Sequence, residues 1–472
     1  MKKSYVLLLI SFLAFNFIFS QELFLKKGTI IESIALRDSV KESFSLYLPT
    51  KFENKGQWPV LFVFDTKGNV KETLAKFSEA AESENYILAA SNNISDTLSV
   101  TNNVLIAGRM ISDVISILPI HKNQIYTGGY GSGGKLANLL PIFIKNIEGA
   151  VSSGGPLANM ELLATNNPFH FIGIIGKEDF NYLRLLSDEK ILNRFKFPNN
   201  LIVFDGGNKW PDKVHLRKAL KLFTLSAMAK GHIKKDTAYI DAVYNEDLDY
   251  VNKLKNDKKM LIADRALSEM LTVYRPHKDI SALKNVWKEH RKDKLYRSLK
   301  RNENAAFFKE ALLKEDYAYY LEEDLYAYNY NNLGWWNYQM SELNKFIYGD
   351  SKSQQQMGKR LYAYVNALIE DYIDTTTSEK EIDDEAFILL SMLKTITEPM
   401  NYDYYLNVIS LSSKYEDYGT ALFYLEEALK KNFKNRERLD KLEHAALLRI
   451  SPEYNKLIEE YFNDARYKTT VE

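Results

Sequence analysis

The segment whose residue types and spacing best suit chemistry is the glycine-dense run Gly128-Gly129-Tyr130-Gly131-Ser132-Gly133-Gly134-Lys135. It follows the short apolar run Gln124–Thr127 and leads into helix-period residues from Lys135 to Phe143. It lacks the Gly-Lys-Ser/Thr ending of a phosphate loop. Ser132 supplies a hydroxyl, and a serine hydroxyl becomes a nucleophile only when a base takes its proton. The chain contains no cysteine. A thiolate nucleophile, a disulfide and Cys-based zinc or iron–sulfur ligation are therefore excluded. None of the seven histidines falls in an H-x-x-x-H or H-E-x-x-H pattern, so neither a metal site nor a cofactor is expected.

The elements around this run have two textures. From residue 22 to 230, eight short runs have strand character: Ile30–Leu36, Ser43–Leu48, Pro59–Phe64, Tyr86–Ala90, Gln124–Thr127, Gly149–Ser152, Phe169–Ile175 and Asn200–Phe204. Several are unbroken apolar stretches, the pattern of strands covered on both faces of a parallel sheet. Helix-period segments lie between them at Val70–Ser83, Val104–Leu118 and Lys135–Phe143. The alternation predicts an α/β sheet with helices on both faces. After about Gly231 the strand signal gives way to long Leu-, Ala-, Lys-, Glu- and Tyr-rich helical stretches, punctuated near Pro276, Gly334, Gly349, Pro399 and Pro452. The expected organisation is a leader over residues 1–20, an α/β domain over 21–230 and an all-α domain over 231–472.

A strand, a glycine turn and a helix in this order resemble the G-x-S-x-G nucleophile elbow of α/β-hydrolases, and in particular the secreted esterase and polyhydroxyalkanoate-depolymerase-like branch. Other pieces follow in the family's order. Pro59–Phe64 with Asp65 resembles the third strand entering the oxyanion loop. Gly149–Pro156 resembles the strand after the elbow helix, and Ile175–Asp179 the loop carrying the catalytic acid. Phe204–Pro211 resembles the final loop, where the family reads G-G-H. The resemblance implies an acid at Asp179, while Gly131 stands where serine belongs and Asn208 where histidine belongs. Glycine has no side chain to attack a carbonyl, and an asparagine amide cannot take up and return a proton near neutrality. Asp65, Thr66, Tyr130, Ser132 and Trp210 are the residues expected to line the pocket.

Two alternatives remain within this reading. Ser132, one residue along, could be the nucleophile of a rearranged site, with His215 as its base. The elbow needs small residues two before and two after its centre. A centre at Gly131 is flanked by Gly129 and Gly133, whereas a centre at Ser132 is flanked by Tyr130 and Gly134. His215 is otherwise a helix histidine. Asp179 either keeps a role or merely caps a loop or pairs with a lysine. Trp210 either packs or stacks on a ligand.

In the helical half, the run Tyr415–Leu429 places Tyr418, Ala421, Leu425 and Ala428 at the offsets of the second helix of a tetratricopeptide repeat, which it resembles. Ile409 and Ser412 depart from the pattern of the first helix. Tyr317, Tyr319, Tyr320, Tyr326, Tyr328, Tyr330, Trp335 and Trp336 form a dense aromatic cluster, read either as interhelical core or as a peptide- or glycan-binding platform. The charged runs Lys288–Arg301 and Glu379–Glu385 read as solvated helix faces.

At the N-terminus, Met1-Lys2-Lys3 precedes an apolar run to Phe19 that ends at Ser20-Gln21. This has the layout of a secretory signal peptide. It predicts export to the periplasm or beyond the cell, with no membrane span after cleavage. The 62 basic and 62 acidic residues cancel, which argues against bulk nucleic-acid binding. The expected partners are a protein or peptide on the helical domain and a small ligand in the hydrolase-like pocket. The sequence reading is an exported, non-catalytic esterase-like protein. An active serine esterase using Ser132 is its alternative.

Overall fold

The computed structural model describes residues 26–37, 41–158, 163 and 168–463. The leader predicted over residues 1–20 lies outside the described residues. Eight strands form one sheet in the order β1-β2-β4-β3-β5-β6-β7-β8. They are β1 (Ile30–Ala35), β2 (Ser43–Tyr47), β3 (Trp58–Phe64), β4 (Ile87–Ser91), β5 (Ile120–Tyr130), β6 (Gly149–Ser153), β7 (His170–Gly176) and β8 (Asn199–Phe204). β1 pairs antiparallel with β2, and β2 antiparallel with β4, whereas β3 pairs parallel with β4 and β5, and β5 parallel with β6. Every residue of β4, β6 and β7 is buried, as the apolar runs require of strands covered on both faces.

The flanking helices are α1 (Val70–Glu84), α2 (Val100–Ile117), α3 (Ser132–Phe143), α4 (Tyr182–Arg194) and α5 (Lys213–Ala229). All eight strand runs and three of these helices are those read from the sequence. α2 starts four residues earlier than expected, because the Ser99 side chain accepts from the Asn102 amide and caps it. β5 is longer than its apolar stretch. It begins at Ile120 opposite Trp58 and carries polar residues through a register irregularity before the parallel ladder with β3 settles.

Twelve further helices follow, counted among the described residues: α6 (Thr237–Asn256), α7 (Met260–Tyr274), α8 (Ser281–Lys292), α9 (Lys294–Tyr326), α10 (Leu333–Ile347), α11 (Lys352–Ser378), α12 (Asp384–Thr397), α13 (Tyr402–Lys414), α14 (Tyr418–Lys430), α15 (Arg436–Asp440), α16 (Ala446–Ile450) and α17 (Pro452–Phe462). Their boundaries follow capping chemistry. Asp293, Asp383, Asn401, Asp417 and Ser451 each accept a backbone N–H at a helix start, and Pro452 takes the first helical position of α17. α13 and α14 pair across a three-residue turn, with Tyr405, Leu406 and Ile409 packed against Ala421, Leu425 and Ala428.

The dense aromatic cluster divides. Tyr317 and Trp336 are buried in a core with Leu321, Met340 and Leu361, while Tyr319, Tyr320, Tyr326 and Tyr328 are exposed. The Trp336 indole is satisfied by Asp324, to which it donates at 2.8 Å. Among the described residues no helix is long and apolar enough to cross a membrane.

By compactness the chain divides into two units. The first comprises the described residues within 26–173, 192–200 and 211–240, and the second those within 174–191, 201–210 and 241–463. The ends of β7 and β8, with the loops that follow them, thus group with the helical half.

Candidate functional site

The first unit contains the elbow. β5 runs to Tyr130, Gly131 turns the chain, and α3 begins at Ser132. Gly131 has φ 56° and ψ −120°, a positive-φ conformation that side-chain-bearing residues adopt only at a cost. Its amide donates to the Ser153 carbonyl at 2.8 Å and its carbonyl accepts from Lys135 at 3.0 Å. The two flanking glycines are fixed by space. A Cβ on Gly129 would lie 2.5 Å from the Gly133 carbonyl carbon, and a Cβ on Gly133 would lie 2.1 Å from the Phe64 carbonyl oxygen. A Cβ on Gly131 itself would meet nothing within 4 Å. The turn therefore has the tight strand-to-helix packing of a nucleophile elbow, with an open space where its central side chain would project.

Ser132 sits one residue on, in the first turn of α3, and is exposed at the surface of that turn. Among the described residues its hydroxyl makes one hydrogen bond, 2.6 Å from the Thr66 hydroxyl. Thr66 is buried just past the end of β3, beside Asp65, whose carboxylate accepts the Asn69 amide at 2.5 Å ahead of α1. Thr66 and Ser132 are thus brought together, with Tyr130 half-buried beside them in sequence. His215 lies in the first turn of α5, half-buried, and burial lowers its pKa against the opposing pull of Asp212.

Asp179 and the loop carrying Asn208 and Trp210 belong to the second unit, and there they are neighbours. The Lys177 amide donates to Phe204 at 2.9 Å and the Glu178 amide to Gly206 at 2.7 Å. A Cβ on Gly176 would lie 2.3 Å from the Gly206 carbonyl oxygen, so the two loops are in backbone contact. Asn208 is exposed and Trp210 half-buried.

Asp179 is 2% exposed. Burial pushes its carboxyl up to about 6, opposed by the Asn181 amide, which donates to it at 2.9 Å, and by the charge of Lys314. An acid raised above its unfolded value binds its proton more tightly when folded. Stability therefore falls as pH rises from about 4 to about 6 and stays at the lower level above that. Asp179→Asn is expected to raise the urea midpoint of the second unit at pH 7 by the equivalent of about 1–3 kcal/mol. It should also flatten the pH dependence between about 4 and about 6. An unchanged pH profile would mean that the carboxyl is not buried in solution.

The residues that sequence reasoning missed are the charges holding this loop. Arg360 on α11 and Glu310 on α9 form a buried pair at 2.6 Å, and Glu310 also pairs with Lys314 at 3.2 Å. Arg360 donates to the Lys177 carbonyl at 2.6 Å, and Lys314 donates to the Phe180 carbonyl at 3.0 Å. The buried Lys177 ammonium pairs with Glu303 at 3.2 Å; burial lowers its pKa although Glu303 pulls the other way. Asp179 thus faces a lysine of the helical half. No local pattern marks Glu310, Lys314 or Arg360, since each is one charge among many on a long helix.

Among the described residues no group of three or more His, Asp or Glu could hold a metal ion. The sheet and elbow define an α/β-hydrolase-like fold. No protein-family model matches the sequence, and no curated protein matches it. Solved structures similar to the chain include the fluorophosphonate-binding serine hydrolase F of Staphylococcus aureus, at 12% identity and TM-score 0.36, covering 42% of this chain and 99% of that one. Another is esterase 2 of Thermogutta terrifontis phosphorylated by paraoxon, at 13% identity and TM-score 0.36, covering 45% and 98%. A third, assigned as a dipeptidyl aminopeptidase IV from Bacteroides ovatus, shares 15% identity at TM-score 0.34. There the match covers 41% of this chain and 35% of that one.

Proposed function

We propose that this protein is a non-catalytic member of the esterase-like α/β-hydrolases, an exported binding or scaffold protein whose helical half engages a protein or peptide. The observation that carries the reading is Gly131. It holds the elbow's centre in a glycine conformation, with open space in place of a nucleophile and with both flanking positions closed to any side chain. A centre at Ser132 is disfavoured, because that residue belongs to the helix and its hydroxyl is bonded to Thr66. Asn208 at the base position and Asp179 facing a lysine instead of a histidine agree with loss of the chemistry. The helical half is read as a tetratricopeptide-like interaction domain from its α13–α14 hairpin and the residues packed between those helices.

The test is a fluorophosphonate serine-hydrolase probe applied to the purified protein, to Ser132→Ala and to Gly131→Ser/Asn208→His. The expected result is no labelling of the wild type or of Ser132→Ala. Labelling of the double variant would show that only the side chains were lost. Wild-type labelling that vanishes in Ser132→Ala would overturn the proposal and establish an active serine esterase with a shifted nucleophile.

A further inference from the structure

A cleft of about 620 Å³ opens in the helical half, lined from the 3-10 turn at Tyr330–Asn332 and from α10, α12, α13 and α14. Its floor is apolar, made by Leu333, Ile388 and Met392. Its rim carries aromatic rings, of which Phe423 is 56% and Tyr415 54% exposed. The charges in its wall have one sign. Glu385 and Asp417 line it and no lysine, arginine or histidine does.

The local carboxylates are not all neutralised. Asp384 is paired with Lys414 and accepts the Tyr415 hydroxyl at 2.8 Å. Asp383 accepts the Tyr328 hydroxyl at 2.6 Å, and one oxygen of Asp417 caps α14. Among the described residues Glu385 has no cationic partner. The Tyr330 hydroxyl, which donates to the Glu385 carbonyl at 2.9 Å, has its pKa pushed up to about 12, by burial first and then by Glu385, Asp383, Tyr328 and Asp417.

A second, independent observation comes from the cleft wall. Ser412 is 3% exposed and lines the cleft, yet its hydroxyl makes no hydrogen bond to any described residue. A ligand polar group in the cleft would give that hydroxyl a partner in place of water.

The Phe423 ring and the Glu385 carboxylate over an apolar floor are the complement of an alkyl cation, whose stem packs on the ring while its head meets the negative wall. The volume is that of a site for a drug-sized ligand, more than one side chain fills, and the exposed Phe423 and Tyr415 extend apolar contact past the charged wall. We propose that this cleft binds a peptide segment presenting a lysine or arginine beside apolar residues. The proposal rests on the reading of the helical half as an interaction domain. It is independent of whether the elbow is active, so labelling and peptide binding fail separately.

The experiment is fluorescence anisotropy on the full chain with fluorescein-labelled acetyl-Gly-Leu-Arg-Leu-Gly-amide and its isosteric citrulline counterpart, with unlabelled agmatine as competitor. The arginine peptide is expected to bind saturably and to weaken with salt. The citrulline peptide should bind about tenfold more weakly or worse. Glu385→Gln/Asp417→Asn should weaken the arginine peptide about tenfold, with the cap kept because asparagine caps as well as aspartate. Phe423→Ala should weaken both peptides. Equal affinity for the two peptides, full affinity in the doubly neutralised variant with an unchanged circular dichroism spectrum, or no saturation at millimolar peptide would each overturn the proposal. Agmatine competing as strongly as the peptide would overturn the peptide assignment and leave a small-amine site.

Discussion

Gly133→Ala is expected to destabilise the first unit by about 3 kcal/mol or more, whereas Gly131→Ala should cost only about 1–3 kcal/mol. The physical causes differ. At Gly133 the new methyl would sit 2.1 Å from the Phe64 carbonyl oxygen, and neither that oxygen nor the Gly133 Cα can yield, because both are main chain held by the sheet and by α3. Relief would require the helix to move off β3, separating the small residues that let Gly129 and Gly133 meet. At Gly131 the methyl would enter empty space, and the penalty is confined to holding an alanine at φ 56°. Amide exchange in β3 and β5 should accelerate strongly in Gly133→Ala and weakly in Gly131→Ala, and the urea midpoints should rank the same way. If Gly133→Ala were mild and Gly134→Ala severe, the elbow would be centred on Ser132 and the assignment of Gly131 would fall. The comparison therefore tests the frame of the turn without any assay of activity.

That frame was legible in the sequence because an elbow constrains residues close together along the chain. Glycines at 129, 131 and 133, preceded by a strand and followed by a helix, fit a tight strand-to-helix turn and little else. The sheet was legible for a similar reason. Val60–Phe64, Ile87–Ala90 and Phe171–Ile175 are apolar or small at successive positions, and a short run of that kind suits a strand buried on both faces. Polar ends were missed, as at Ile120–Asn123, where pairing to β3 rather than apolarity makes the strand. The charges around Asp179 were not legible at all. Glu303, Glu310, Lys314 and Arg360 sit on helices whose exposed faces carry many similar residues. Their burial depends on which side each helix turns toward the Asp179 loop, which one sequence does not encode locally. Part of the run Lys288–Arg301, read as a solvated face, is likewise engaged: Arg291 makes a two-pronged contact with Asp264, at 2.7 and 3.0 Å. The cleft residues Glu385, Ser412 and Phe423 come from three helices and meet only in the folded unit.

The buried pair beneath the Asp179 loop should give the other large effect. Arg360 is 1% and Glu310 0% exposed, so removing one partner strands a charge in a medium that cannot solvate it. A loss of about 3–5 kcal/mol is expected. The two single variants should not be equal. Glu310→Leu leaves both Arg360 and Lys314 without their carboxylate, whereas Arg360→Met leaves Glu310 still paired with Lys314. Glu310→Leu is therefore the more damaging. The double variant should cost clearly less than the sum of the singles, because each substitution removes the charge that the other exposes. Arg360→Met also removes the donor to the Lys177 carbonyl, so amide exchange across residues 177–182 should rise beyond what the global loss explains. In the intact protein the helices α9 and α11 fix that loop, and Lys314 supplies the positive charge that Asp179 faces. Additive losses in the double variant, with protection of the loop unchanged in Arg360→Met, would show that the loop is held by its own turns and that the helical charges only solvate one another.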